Sequence, residues 1–337
     1  MNRALYPLSF LYSFLRGADK TLSKPKKLSR PVISVGNLTC GGTGKTPLVI
    51  EIAKFAAGRN KRAAVLTRGY GRKSKEPVLL KDGALNADIA SCGDEALLIA
   101  KSVPQASVII GANRFSNALK FENETKTDFY ILDDGFQHWH ISRNLDIVCI
   151  NAANPFGNGF LIPAGILREP VNALKRADLI IITNSDAASA EQISYIKSKI
   201  KEFSNAEPII SRYGGYRLKQ LNLLDDFDIE KDKDKKFYSL SAIGFDGGFK
   251  NSLKKAGFKI ERHFQFRDHF NFTRQSLEKV FESADGIVIV TAKDAVKIEK
   301  AASADMKAKF AVLSVSPIFE YGKDLWEEKI LKVLQSF

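Results

Sequence analysis

"GNLTCGGTGKTPLVI", residues 36–50, is the stretch whose reading decides the fold. It grows out of "PVISVG" (31–36), a short β-branched apolar run that reads as a buried strand. It leads into "PLVIEIAKFAAG" (47–58), where Leu48, Ile52, Phe55 and Ala56 recur at helical spacing and Gly58 supplies a stop. Pro47 suits the first helical turn, whose N–H groups have no intrahelical partner. The unit is strand, glycine loop, helix. The usual phosphate-loop spelling G-x-x-x-x-G-K-[ST] has a glycine five residues before Gly44, and Thr39 stands there instead. Gly41, Gly42 and Gly44, with Thr43 between them, still let the backbone curl so that its N–H groups face an anion at the positive end of the helix. Lys45 would reach the β- and γ-phosphates, and Thr46 would offer its hydroxyl to Mg²⁺. The plainer reading, a tight turn with no ligand, is disfavoured by the Lys-Thr pair in this context.

Outward from that unit, apolar runs alternate with helical stretches: "AAVLT" (63–67), "PVLLK" (77–81), "ASVIIG" (106–111), "DFYILDD" (128–134), "LDIVCI" (145–150) and "ADLIIIT" (177–183). The alternation predicts an α/β fold of the P-loop NTPase type, a mostly parallel sheet with helices on both faces. Strands that are apolar throughout, not alternating, are covered on both sides. Residues 212–236 break the pattern with two short alternating stretches and a charge run, and read as a hairpin-like linker. "FYSLSAIG" (237–244), "FKIERHF" (258–264), "DGIVIVTAKD" (285–294) and "FAVLSV" (310–315) then predict a second, smaller α/β domain. The expected division is 1–30, an N-terminal surface helix and basic segment; 31–211, the P-loop domain; 212–236, the linker; and 237–337.

The 337 residues are comfortable for two domains, and 45% hydrophobic with 26% charged residues is the balance of a soluble globular chain. Cys40, Cys92 and Cys149 are isolated and odd in number, with no disulfide or metal spacing, which suits a reducing cytoplasm. A net charge of +13 favours an anionic partner. No nucleic-acid-binding signature accompanies it, which leaves an acidic membrane or a phosphorylated substrate. "ALYPLSFLYSFL" (4–15) carries no charge, with Leu8, Leu11, Tyr12 and Leu15 on one helical stripe and Ser9, Ser13 and Arg16 on another face. It is shorter than the about 20 residues a spanning helix needs. It is expected to lie in a membrane surface, followed by Lys20, Lys24, Lys26, Lys27 and Arg30. A helix packed on the protein's own core and a signal peptide are the competing readings.

Further candidates carry chemistry. "FYILDDGFQHWH" (129–140) is a strand ending in two aspartates, the form in which a strand-end carboxylate holds Mg²⁺ beside a phosphate loop. Strand ends converge in open α/β sheets, which puts Asp133 next to Lys45 and Thr46. "SCGDEALLIA" (91–100) sets Asp94 and Glu95 at a helix start, where capping and dipole complementation are the ordinary reading and a general base is the alternative. His138, His140, His263 and His269 match no zinc spacing, and a histidine beside an aspartate can orient a catalytic carboxylate. "PFGNGFLIPAGILREP" (155–170) reads as an ordered loop in which Arg168 would clamp a phosphate and Glu169 would serve the metal, or in which the two simply pair with other surface charges.

Taken in order, "GNLTCGGTGKTP", "TRGYGR", "GDE", "DDGFQH", "LDIV", "GNGFLIPAGILREP", "FRDHF" and "TAKDAVK" resemble the tetraacyldisaccharide 4'-kinase (lipid A 4'-kinase) family over most of the chain. Thr39 is then that family's own spelling of the loop. Departures are Ala96 after Gly-Asp-Glu, Ala292 before Lys293 and Asp294, and a loose "IGFDGGF" (243–249). The resemblance implies phosphoryl transfer from ATP, with Mg²⁺, to the 4'-hydroxyl of a lipid-linked glucosamine disaccharide carrying a 1-phosphate. It implies Asp94 as base assisted by His269, against the capping reading. Thr46, Asp133 and Glu169 are expected at the metal, and Lys293 and Asp294 at the nucleotide. Arg114, Asp134, Gln137, His138, Arg168 and Glu169 are expected at the acceptor. The expected partners are that glycolipid and an anionic membrane surface, on the cytoplasmic face of the bacterial inner membrane, with no nucleic acid and no obligate protein partner. A membrane-associated nucleotide switch is the alternative, since "TNSD" (183–186) and "TAKD" (291–294) resemble a guanine-reading motif.

Overall fold

The protein is described by a computed structural model covering residues 5–84, 87–244, 246–268 and 270–336. Its strands are β1 (Val32–Asn37), β2 (Ala63–Thr67), β3 (Val78–Leu80), β4 (Ser107–Ile110), β5 (Phe129–Asp133) and β6 (Leu145–Asn151), followed by β7 (Leu179–Thr183), β8 (Ile209–Lys219), β9 (Phe237–Ser241), β10 (Ile260–Gln265), β11 (Ile287–Thr291) and β12 (Phe310–Tyr321). They form one 12-stranded sheet in the order β10-β9-β11-β12-β8-β7-β6-β1-β5-β2-β4-β3. Pairing is parallel except at the short edge strand β3 on β4 and along β8 on β12.

Both faces of the sheet are apolar, as the uninterrupted runs require. In β7, Leu179 and Ile181 join the core on one face, and Ile180 and Ile182 join the core on the other. The first of these cores runs without a break across the molecule. It includes Leu48 and Ile52 of the helix Lys45–Ala57, Leu97 of the helix Asp94–Ser102, Val296 of the helix Ala292–Ala301 and Trp326 of the helix Lys323–Gln335. The two expected domains are therefore halves of one sheet. The expected linker begins as strand, because 212–219 belong to β8, which hydrogen-bonds to β7 on one side and β12 on the other. Its alternating pattern reflects a ribbon buried unevenly on its two faces, with the register shifting near Gly214 and Ser316.

The helix Tyr6–Leu22 lies against the 155–170 loop. Ser9 is buried there, its hydroxyl donating to the Leu161 carbonyl at 2.9 Å and accepting the Ala164 N–H at 3.0 Å. Tyr12, expected on the outer apolar stripe, turns inward and donates to the Arg168 carbonyl at 3.1 Å. Leu8, Phe10, Leu11, Phe14 and Leu15 face outward, with Phe10 80% and Phe14 69% exposed. The apolar stripe is thus not packed on the protein's own core. Among the described residues no helix is long and apolar enough to cross a membrane.

Candidate active site

Register places the site. Val35 of β1 pairs with Asp133 of β5, and Asn37 pairs with Cys149 of β6, so the loops after β1, β5, β6 and β7 open on one edge of the sheet. The phosphate loop leaves that edge through Thr39, which is buried and receives the Asn37 side-chain amide on its carbonyl at 2.7 Å. Thr39 keeps a negative φ, so the loop has no need of glycine there. Glycine is required at Gly44, where φ is +80° and an added Cβ would lie 2.3 Å from the Tyr213 hydroxyl. At Gly41 and Gly42 an added Cβ would meet nothing within 4 Å; both border open space. The helix Lys45–Ala57 that follows has no side-chain cap and no acidic residue in its first turn. Its first N–H groups are left for an anion. The buried Thr43 hydroxyl likewise has no partner among the described residues.

Asp133 ends β5 and accepts the Thr67 hydroxyl at 2.9 Å. Burial, then the charges of Asp134 and Glu95, push its carboxyl up to about 6 against the pull of Lys45. A buried carboxylate crowded by two others is a site that fits a cation. Among the described residues no three His, Cys, Asp or Glu side chains cluster as a metal cage. Mg²⁺ at phosphates is ordinarily held by one or two protein groups and phosphate oxygens, so the donor set of Asp133 and the Thr46 hydroxyl fits it.

Asp134 adopts a left-handed φ of 51°, which aspartate tolerates. Lys45 Nζ lies 3.4 Å from it, and Arg168 grips it in a bidentate pair at 2.8 and 2.9 Å. Arg168 also reaches the Asn37 side-chain oxygen at 3.1 Å. Arg114 is buried beside both aspartates. Burial depresses its pKa, as do Arg68 and Arg168, while Asp133 and Asp134 oppose the fall.

Glu169, expected at the metal and acceptor, is buried with both oxygens engaged. Arg176 donates to them at 3.0 and 3.2 Å, and Gln137 at 2.9 Å. Gln137 donates also to the Asn37 carbonyl at 2.9 Å. Arg176 lies over Phe136 and Trp139, 4.2 and 4.5 Å from the ring centres. No sequence pattern marked it, since its partners come from two separate loops. His138 is driven down to about 3 by burial and then by Arg114, His140 and Arg143, so it is neutral at physiological pH.

The helix Asp94–Ser102 starts after Gly93, whose φ is 86°. Asp94 is buried, its Oδ1 accepts the Glu95 N–H at 2.9 Å, and its Oδ2 lies 3.7 Å from Lys293 Nζ. Lys293 also approaches Glu95 at 3.4 Å. Burial pulls the lysine down, but Asp94 and Glu95 outweigh it and hold its pKa above the ordinary value. Asp294, expected at the nucleotide, is instead wholly buried. Its carboxylate accepts the Ala242 N–H at 3.0 Å and the Thr291 hydroxyl at 2.8 Å, and pairs with Lys297 at 2.7 Å. It braces the ends of β9 and β11. His269 lies outside the described residues.

The chain matches known proteins along its length. A family model described as tetraacyldisaccharide-1-P 4'-kinase matches residues 1–335. A tetraacyldisaccharide 4'-kinase from Anaeromyxobacter dehalogenans strain 2CP-1 is 34% identical over 320 residues, which is 93% of this chain and 84% of that one. One from Halothermothrix orenii is 36% identical over 296 residues, covering 83% and 77%. The crystal structure of LpxK from Aquifex aeolicus in complex with ATP superposes with a TM-score of 0.80 at 28% identity, covering 98% of each chain. The chain belongs to the tetraacyldisaccharide-1-P 4'-kinase family.

Proposed function

We propose that this chain transfers the γ-phosphoryl group of ATP to the 4'-hydroxyl of tetraacyldisaccharide 1-phosphate. The observation that carries this is the meeting, at one sheet edge, of an anion-ready phosphate loop, a cation-ready Asp133 and the buried Asp94. Phosphoryl transfer is chiefly positioning and charge stabilisation. The loop N–H groups and Lys45 bind the phosphates, and Arg168 and Arg114 add positive charge around the position where charge develops. Thr46 and Asp133 would hold Mg²⁺, which would supply positive charge to neutralise the phosphates. Asp134 fixes the positions of Lys45 and Arg168. Gln137, Glu169 and Arg176 lock the 155–170 loop onto the end of β1, and neutral His138 borders the acceptor. Asp94 takes the proton of the attacking hydroxyl, with Lys293 beside it at 3.7 Å.

The acceptor carries acyl chains, and the outward apolar face of the helix Tyr6–Leu22 gives the chain a way to reach it. Fully burying one Leu or Phe side chain contributes about 1.5–3 kcal/mol. Lys24, Lys26, Lys27 and Arg30 follow the helix and would face an anionic leaflet. Placement on the cytoplasmic face of the inner membrane follows from the same reading.

The decisive experiment incubates the chain with Mg-ATP and the disaccharide 1-phosphate and follows the lipid by mass spectrometry. Gain of one phosphoryl group at the 4'-position, dependent on Mg²⁺, is expected. Nucleotide hydrolysis indifferent to the acceptor would favour a switch protein instead.

A further inference from the structure

We propose that Asn151 and Thr183 are positioning residues of the nucleotide site, setting which way the peptides of the phosphate loop face. The inference rests on the reading of that loop as the ATP site. Asn151 is the last residue of β6, and its Nδ2 donates to the Gly42 carbonyl at 3.0 Å. Thr183 is the last residue of β7, and its hydroxyl donates to the Thr43 carbonyl at 3.0 Å. Two consecutive carbonyls of the loop are therefore held from behind by neighbouring strand ends.

A trans peptide points its C=O and the next N–H in opposite directions. Tying down the Gly42 carbonyl aims the Thr43 N–H away from Asn151, and tying down the Thr43 carbonyl aims the Gly44 N–H away from Thr183. Both N–H groups then face the anion side. The glycines at 41, 42 and 44 give the loop wide backbone freedom, so the sequence of the loop alone does not select these orientations.

The latch is itself oriented. Asn151 Oδ1 accepts the Ala153 backbone N–H at 3.1 Å, which fixes the amide with its NH₂ toward Gly42. Asn184, in a left-handed turn with φ of 54°, donates to the same oxygen at 3.1 Å. Thr183 is 5% exposed, and its hydroxyl has the Ile150 carbonyl as a second, longer acceptor at 3.3 Å. Tyr213 of β8 closes the row, its hydroxyl leaving no room for a side chain at Gly44.

The test is Thr183→Val, which keeps the shape and removes the donor, beside Thr183→Ser, which keeps the donor, and Asn151→Ala. Mg-ATP affinity is measured by titration calorimetry, and KM is measured separately for ATP and acceptor. Thr183→Val and Asn151→Ala are each expected to weaken Mg-ATP binding about 3–10-fold, the worth of one neutral hydrogen bond. The acceptor KM should not move, and Thr183→Ser should restore affinity. A role in stability alone would lower Tm and leave affinity intact, and that result overturns the proposal. Lys45→Ala separates the two readings. If it loses nucleotide binding while both latch variants bind normally, only the latch is wrong. If it too binds normally, the nucleotide site falls and the latch with it.

Discussion

Lys45, Thr46 and the loop amides sit within one strand–loop–helix unit. Asp94 and Lys293, 3.7 Å apart, come instead from opposite halves of the sheet. In the proposed assignment the donor side is thus local in sequence and the acceptor side is assembled by topology. The electrostatics differ too. Asp133, on the donor side, is a carboxylate raised by burial and by like charges, in an environment that a cation would relieve. Asp94 already has Lys293 beside it. One side is left in tension until its ligand arrives, and the other is paired within the protein. Loss of a donor-side group should therefore act through nucleotide and metal, and loss of an acceptor-side group through the chemical step.

The largest effect is expected from Lys45→Ala. It removes the cation at the phosphates and leaves Asp134 with Arg168, so transfer should fall at least about 10³-fold while thermal unfolding stays close to that of the parent. A folded Lys45→Ala protein with near-normal activity would remove the donor side of the comparison altogether. Asp94→Asn comes next. A positioned general base contributes about 10²–10⁴-fold, so kcat should drop by that much with little change in the KM for Mg-ATP. A defect confined to Mg-ATP affinity would return Asp94 to the helix-start role that its sequence context also allows.

How much of this was legible in the sequence follows the same division. "GNLTCGGTGKTP" and "FYILDDGFQH" contain their own strand and turn, so local pattern sufficed to put Lys45 and Thr46 at a loop-to-helix junction and Asp133 at a strand end. Pattern did not reveal that Lys293 reaches Glu95 across 198 positions, because that contact follows from the order of strands. For the same reason β8 read as a linker, since its antiparallel partner β12 lies about a hundred residues further on and nothing near 212–219 announces it. Asp294 looked available in "TAKD", but a carboxylate at a strand-to-helix junction can turn inward to backbone donors as readily as outward. In the first helix the stripe was legible and its bearing was not. Ser9 and Tyr12 face the protein because the 155–170 loop offers them a carbonyl each and, for Ser9, an N–H.

That helix supplies the third prediction. Phe10→Asp with Phe14→Asp places charge on the exposed face without touching Ser9 or Tyr12. Partition onto anionic vesicles should fall about 100-fold or more, while activity on a water-soluble short-chain acceptor survives. Unchanged vesicle binding would detach the helix from the acceptor side.

Asp133→Asn tests the tension on the donor side through pH. The folded carboxyl is raised from 3.8 to about 6, so over that interval the unfolded chain gives up its proton first. Stability of the nucleotide-free protein should fall as pH rises through the interval, and the cost, up to about 3 kcal/mol, is complete above it. Asp133→Asn should therefore be more stable than the parent at pH 8 and no more stable at pH 4. It should also lose the Mg²⁺ dependence of nucleotide binding. Equal unfolding curves at pH 8 would mean that Asp133 is not held in tension.

Lys293→Met should have the smallest effect and bears most directly on how the acceptor side is assembled. The substitution keeps the length and apolar stem of the lysine, so packing of the helix Ala292–Ala301 is retained. It leaves Asp94 and Glu95 without the cation 3.7 and 3.4 Å away. Glu95 then bears on Asp133 with less positive charge to offset it, and Asp94 is held in place less firmly. We expect kcat to fall about 10-fold, because the general base loses the ammonium that helps to position it. Mg-ATP KM should change little. Arginine at the same position should recover part of the rate, since charge and not shape is what the pair supplies. If Lys293→Met instead raises the KM for Mg-ATP and leaves kcat as it was, Lys293 serves the nucleotide, and the acceptor side does not draw its cation from the far half of the sheet.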